Sequence, residues 1–280
     1  MSDIEISIEE FEKFREFFYR KTGIQFEPTK RYFVDKRLVD RIFATKSGDF
    51  RTYFMLLRFQ ASGEELQLLT NLMTVNETYF FREEYQFECL VRSILPEIVR
   101  HKTPGQTLRI WSIPSSSGEE PYSIAIYISE FWPDIVKWDV ELLSSDIDTE
   151  ILRKAKRGKY GVRSVQNVPM HLLSRYFKRE ADGEYQICDD LRTAVEFTRV
   201  NLNDTAQTRA YRGFDVIFCR NLLIYFDELS RAQAAEVFFD ALNPGGFICL
   251  GHSESMSRIT SLFRVRKFPE AIVYQKPEKQ

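Results

Sequence analysis

The sequence predicts an α/β fold in two parts. An all-α unit over residues 1–75 precedes an α/β domain over 76–280, with a small antiparallel β-subdomain inserted at about 170–200. Three observations predict this. Apolar residues recur at helical spacing through the first 75 positions. From Leu108 onward, short apolar runs alternate with helix-like segments, the pattern of a parallel sheet covered on both faces. The composition is that of a folded chain, with 280 residues, 44% hydrophobic and 29% charged.

In the first part, Ser7 and Glu10 have capping-box spacing, and Phe11, Phe14 and Phe18 follow on one helical face. Gly23 ends that helix. Pro28 introduces a second, in which Val34, Leu38 and Ile42 recur four apart. Between Lys30 and Lys46 six basic residues face two acidic ones, a local charge of 6 − 2 = +4. Lys30, Arg37 and Arg41 fall at i, i+7 and i+11, away from the apolar stripe. Such a face is either plain solvated surface or a docking face for an acidic partner. Apolar periodicity at Tyr53, Leu56 and Leu57, and again at Leu66, Leu69, Leu72 and Met73, predicts two more short helices.

In the second part LRIWSI, DVELLSSD, EFTRVNL, FDVIFCRNLLIYF and GFICLG read as strands. The stretch from about 170 to 200 breaks their rhythm, with a turn at Asp182-Gly183 between β-prone runs.

Composition also narrows the function. With 39 Lys and Arg against 41 Asp and Glu, the net charge of −2 gives no whole-molecule case for nucleic acid. No run approaches the ~18 apolar residues of a membrane span, and the N-terminus is acidic, so a cytoplasmic protein is expected. Four dispersed cysteines and three dispersed histidines suggest neither a disulfide framework nor a metal centre. Cys219 and Cys249 read as small core hydrophobes rather than nucleophiles.

Open parallel sheets bind ligands at the carboxyl ends of their strands. The loop after the first strand, Pro114 to Pro121, is rich in small residues but is neither GxGxxG nor GxxxxGK[ST], and its two glutamates would repel a pyrophosphate. A ligand with positive charge and hydroxyls, such as S-adenosylmethionine, suits it better. Asp146, which ends the second strand 146 − 118 = 28 positions after Gly118, could accept both ribose hydroxyls. The alternative is that Asp146 caps the helix starting near Thr149.

At these residues the chain resembles the chemotaxis receptor methyltransferases, the CheR family. The resemblance spans nearly the whole chain. It rests on Asn76-Glu77-Thr78-Tyr79-Phe80-Phe81-Arg82, Gly118-Glu119-Glu120-Pro121-Tyr122-Ser123, Ser145-Asp146-Ile147-Asp148, Val200-Asn201-Leu202, Phe218 to Phe226, and Gly251-His252-Ser253-Glu254. It implies a class I S-adenosylmethionine-dependent (Rossmann-like) methyltransferase domain behind a helical receptor-docking domain. The implied reaction is methylation of glutamates on chemoreceptor cytoplasmic helices, with S-adenosylhomocysteine as product. It further implies that Asn76, Thr78, Arg82, Glu119, Glu120, Asp146, Asn201, Leu202, Arg220 and Asn221 hold the donor; either or both of Glu119 and Glu120 could face it. The expected partner is the cytoplasmic domain of a methyl-accepting chemoreceptor, met at membrane receptor arrays, with no nucleic acid, no membrane insertion and no metal. A monomer is expected. The short turn Glu180 to Glu184 argues against capture of a receptor tail.

A glutamate acceptor is ionised at neutral pH, with a reference pKa near ~4.3, so no general base is needed. The protein's task is alignment in a dry pocket. Arg82 and Tyr225 are the catalytic candidates. Arg82 could orient the acceptor carboxylate or touch the donor, and Tyr225 could donate a hydrogen bond to the acceptor, against ordinary aromatic packing as the alternative. Competing readings are a non-catalytic S-adenosylmethionine-binding scaffold, a methyltransferase for small molecules or nucleic acid, and a nicotinamide oxidoreductase.

Overall fold

Ser7 accepts a hydrogen bond from the Glu10 N–H at 3.2 Å, and Glu10 accepts one from the Ser7 N–H at 2.8 Å, so the expected capping box starts α1 (Ile8–Thr22). The computed structural model describes residues 4–278. Gly23, at φ +75°, ends α1. A 3₁₀ turn at Pro28–Lys30 leads into α2 (Arg31–Thr45), followed by α3 (Phe50–Phe59) and α4 (Glu64–Met73). Phe14, Phe18, Val34, Leu38, Ile42, Tyr53 and Leu69 are completely buried in the core these four helices share. That burial supplies the stability that helices of 10–15 residues lack alone.

The basic residues of α2 do not form one open face. Arg41 is turned inward in a bidentate pair with the buried Glu65, Nε–Oε1 at 2.8 Å and Nη2–Oε2 at 2.6 Å. Arg37 lies over the Phe33 ring and donates to the Leu72 carbonyl. Lys30 is exposed at the start of the helix.

The second part begins with a helical run, α5 (Tyr85–Cys89), a π turn at Leu90–Ile94 and α6 (Leu95–Val99). Next come β1 (Thr107–Ser112), α7 (Glu119–Phe131), β2 (Asp139–Asp146) and α8 (Thr149–Arg157). The insertion contains β3 (Lys159–Tyr160), α9 (Val162–Val165), α10 (Met170–Tyr176), β4 (Phe177–Arg179), β5 (Tyr185–Ile187) and α11 (Asp189–Ala194). The chain then returns to β6 (Val195–Arg199), α12 (Thr205–Thr208), β7 (Phe214–Cys219), α13 (Glu228–Ala241), β8 (Leu242–Leu250), β9 (Arg264–Lys267) and β10 (Ile272–Gln275).

The large sheet has the order β6-β2-β1-β7-β8-β10-β9; its first five strands run parallel and the last two pair antiparallel. Period-two alternation divides the core. Val216, Phe218, Phe247 and Cys249 face one layer, while Ile217, Cys219, Ile248 and Leu250 face the other, against α13. Both cysteines are buried, as their strand context predicts. A separate antiparallel sheet, β3-β5-β4, is the expected small sheet. Its first strand lies at Lys159–Tyr160, upstream of the stretch where strands were expected, and β6 pairs with β2 of the large sheet instead.

Two local readings change. The apolar run FDVIFCRNLLIYF is a strand only as far as Cys219, and a 3₁₀ turn occupies Leu223–Tyr225. The β9–β10 hairpin was not foreseen.

Candidate active site

The carboxyl ends of β1, β2, β6 and β7 face the helical domain across a cavity of about 690 Å³. Its walls come from both parts of the chain: Ile24, Phe26, Lys30 and Phe33 on one side; Ile113, Pro114, Val200, Leu202 and Leu222 on the other. The lining is mostly apolar, with a few polar groups, the form of a ligand site.

Asp146 is the acid at its base. It is buried, accepting from the Ser116 N–H at 2.9 Å through one oxygen and from the Asp148 N–H at 3.0 Å through the other. Burial is the largest influence on its carboxyl and pushes the pKa up to about 6, against those backbone hydrogen bonds. Asp146 does not cap α8. That cap is Asp148, which accepts from the Glu150 and Ile151 N–H groups, while its second oxygen accepts from Thr74 Oγ1 at 2.7 Å and Asn76 Nδ2 at 2.9 Å. Asp148 thus ties the linker between the two parts to the end of β2.

The loop from β1 to α7 approaches closely enough to require glycine. At Gly118, φ is +97°, and a Cβ would meet Tyr122 Cε2 and Tyr160 Oη at 3.0 Å and Ala155 Cβ at 3.1 Å. Behind it lie the two glutamates, neither of which lines the cavity. Glu119 accepts from Ser117 Oγ and Ser164 Oγ, both at 2.6 Å. Glu120 accepts from Ser112 Oγ at 2.9 Å and pairs with Arg220 at 2.9 Å. Burial raises both carboxyl pKa values, opposed at Glu120 by the Arg220 charge.

Arg220 is itself buried. It bonds the Arg82 carbonyl and sits 3.4 Å from Glu83, which also accepts from His252 Nδ1 at 2.8 Å. Its guanidinium therefore braces the Phe81–Glu83 segment, where Phe81 and Glu83 hold positive φ. Phe80 and Phe81 are packed in the core.

Of the expected donor residues, the structure brings Asn76, Asp146, Asn201, Leu202 and Asn221 to the cavity wall; Thr78, Arg82, Glu119, Glu120 and Arg220 are not among its lining residues. Tyr225 also lines it and is 40% exposed. Burial raises the Tyr225 hydroxyl pKa, and the nearby Arg82 charge works in the opposite direction. Arg82 donates to the Glu77 carbonyl at 3.1 Å. Three residues that shape the site went unassigned at the sequence level: Asp148, Glu83 and Glu254. Asp148 alone had a readable signal, an Asp directly before a helical run.

A sequence model described as "CheR methyltransferase, SAM binding domain" matches residues 76–272, and one described as "CheR methyltransferase, all-alpha domain" matches 9–74. The chain belongs to the CheR methyltransferase family. Among relatives of this CheR protein is chemotaxis protein methyltransferase 2 of Vibrio cholerae serotype O1, 56% identical over 100% of this chain and 96% of that one. Chemotaxis protein methyltransferase 2 of Pseudomonas aeruginosa is 37% identical, covering 91% of this chain and 90% of its own. The chemotaxis protein methyltransferase of Salmonella typhimurium is 36% identical over 91% and 87%.

S-adenosylmethionine is the cofactor of the CheR family's larger domain, and the cavity fits it. A buried carboxylate at its base suits ribose hydroxyls. Apolar walls at Ile113, Val200 and Leu202 suit a flat purine, and the Asn201 and Asn221 amides add polar groups at the edge. Among the described residues no group of acidic, histidine and cysteine side chains could hold a metal ion. No described helix is long and apolar enough to cross a membrane.

Proposed function

We propose that this CheR-family chain methylates glutamate side chains on the cytoplasmic helices of chemoreceptors, using S-adenosylmethionine, and so adjusts chemosensory adaptation. The observation that carries this reading is that Asp146 and Tyr225 line one cavity with the helical domain as its opposite wall. The family and the names of the relatives support methylation in chemotaxis.

When bound, S-adenosylmethionine supplies an electrophilic methyl group on a sulfonium. Asp146 would hold the ribose, and Asn76, Asn201 and Asn221 would fix the rest of the donor. The apolar walls keep water out, and this low-dielectric setting favours a reaction in which opposite charges disappear. Tyr225 would orient the acceptor carboxylate through its hydroxyl, while Arg82 beside it sets the local potential without a buried ion pair that would stabilise the ground state equally. None of these roles requires proton abstraction.

Receptor docking would use the exposed surface of the helical domain beside the cavity. Lys30, at the cavity wall, is an exposed cation with no ion pair among the described residues; Arg37 keeps its charge while bonded to the Leu72 carbonyl, whereas Glu65 neutralises that of Arg41. The deciding experiment is methyl transfer from radiolabelled S-adenosylmethionine to a purified receptor cytoplasmic domain, with mass spectrometry of the product. Base-labile mass gains on glutamates are expected. Labelling of another residue type, or none with donor bound, would overturn the reading.

A further inference from the structure

The segment after β7 carries Arg220, Asn221 and Tyr225, yet it has no regular ladder of its own. Arg231 Nε donates to its Leu223 carbonyl at 2.8 Å, and two of its backbone N–H groups are held by one side chain. Glu254 accepts the Leu223 N–H through Oε1 at 2.8 Å, and through Oε2 it accepts the Asn221 N–H at 2.8 Å and the Gly251 N–H at 2.9 Å. A carboxylate has lone pairs for all three, whereas a neutral amide would turn a donor toward at least one of them. Asn221 sits at φ +57°, a conformation costly for most residues, and the Glu254 bond to its N–H helps hold it there. Gly251 closes the arrangement, because a Cβ at that position would lie 2.9 Å from Asn221 Nδ2 and Glu254 Oε2 and 3.1 Å from Asn221 N.

We propose that Glu254 is a positioning residue, whose carboxylate sets the Asn221–Tyr225 loop and thereby places the Asn221 amide against the donor and the Tyr225 hydroxyl against the acceptor. This rests on the roles proposed above for Asn221 and Tyr225. Glu254 does not line the cavity, so it acts through the loop rather than on a ligand. Its charge also bears on the Tyr225 hydroxyl, placing the two groups within electrostatic reach.

The test is calorimetric titration of the full chain with S-adenosylhomocysteine, on wild type, E254Q and G251A, with a thermal melt of each. E254Q keeps the shape and removes one acceptor. G251A crowds the same loop without altering charge, and it decides the matter if E254Q fails to fold. A positioning role raises the dissociation constant at least tenfold, with the number of sites per chain still near that of wild type. The donor KM rises together with a fall in kcat. Affinity within twofold of wild type in the folded variants would overturn the proposal. So would lost activity that follows only a reduced number of sites at unchanged affinity, the mark of a merely unfolded fraction. The titration does not depend on the acceptor's identity: a wild type that binds S-adenosylhomocysteine but labels no receptor glutamate defeats the functional reading and the Tyr225 half of this one, and leaves the placing of Asn221 against the donor standing.

Discussion

The side-chain amide of Asn201 donates to the backbone carbonyl of Lys21 at 2.7 Å, tying the end of β6 to the last turn of α1. Asn203 does the same to the Arg20 carbonyl at 3.0 Å, and Tyr19 donates to Asp227 at 2.9 Å. A β-bridge joins Ile24 to Phe226, one residue beyond Tyr225. Helix C-terminal carbonyls need partners, and here the other domain supplies them. The segments that line the cavity are thus the ones that hold the two parts together.

Asn201→Ala should therefore lower stability as well as donor affinity. The side chain also accepts the Asn203 N–H at 3.0 Å, and loss of both hydrogen bonds costs about 2 kcal/mol, which for a chain of this size lowers the melting temperature by roughly 4–8 °C. Hydrogen exchange should accelerate at the end of α1 and not at α3. Unchanged exchange there would show that the bond contributes nothing to the junction.

Arg41 offers a second test. Glu65 is 5% exposed and is held by Arg41 and by the Tyr53 hydroxyl at 2.8 Å. Removing the arginine leaves a buried carboxylate short of its counter-charge, so Arg41→Ala should cost about 3–5 kcal/mol in chemical denaturation of the helical domain. Replacing all three by apolar residues, Arg41→Met and Glu65→Leu with Tyr53→Phe so that no buried hydroxyl is left unpaired, should recover most of it. A receptor-docking role is consequently better probed by Lys30→Glu, which breaks no ion pair. That variant should weaken receptor methylation and leave S-adenosylhomocysteine affinity within about twofold, provided docking relies on charge. Equal loss of both would place Lys30 in the donor site instead.

Much of this was legible in the sequence where local chemistry decides the structure. The Ser7–Glu10 capping box, the four-residue recurrence of Val34, Leu38 and Ile42, and the short continuous apolar run of Val216 to Cys219 are each local signals of helix or strand. What escaped was set by distant partners. Leu222 to Ile224 continue an apolar run, but the left-handed Asn221 and the Glu254 carboxylate, 33 positions away, turn them out of the strand. Asp146 and Asp148 are the same residue type two positions apart, so only their orientation separates the cavity-lining acid from the helix cap. In β9, Arg264 to Lys267 place three cations around one valine on an edge strand, which leaves little hydrophobic pattern to read.

Tyr225→Phe separates orientation from binding. The phenyl ring retains the packing but loses the hydroxyl, which has no side-chain partner among the hydrogen bonds of the described residues. If the hydroxyl bonds the acceptor in the transition state, kcat should fall by about 10–100-fold, the equivalent of a 1.4–2.7 kcal/mol interaction, with donor affinity unchanged. A variant with wild-type kcat would return Tyr225 to ordinary packing.

Asp146, in its proposed donor-binding role, is expected to set the pH response of donor binding. Its carboxyl pKa is raised from 3.8 to about 6 because burial disfavours the charged form. The charged form is the one able to accept both ribose hydroxyls, so bound donor should draw the pKa down and binding should release a proton near pH 6. The sign follows: affinity is full above pH 7 and falls as pH drops through 6, by about tenfold between pH 7 and pH 5 for one titrating group. In the ligand-free chain the same raised pKa acts oppositely on folding, since the native state binds the extra proton, and stability from this group is greatest below pH 3.8 and declines as pH rises through 6. Calorimetric titration with S-adenosylhomocysteine across this range checks the point. Asp146→Asn should bind weakly and without the pH step. A step that persists in the variant would assign it to another group, Glu119 being the nearest candidate by its own burial-raised pKa.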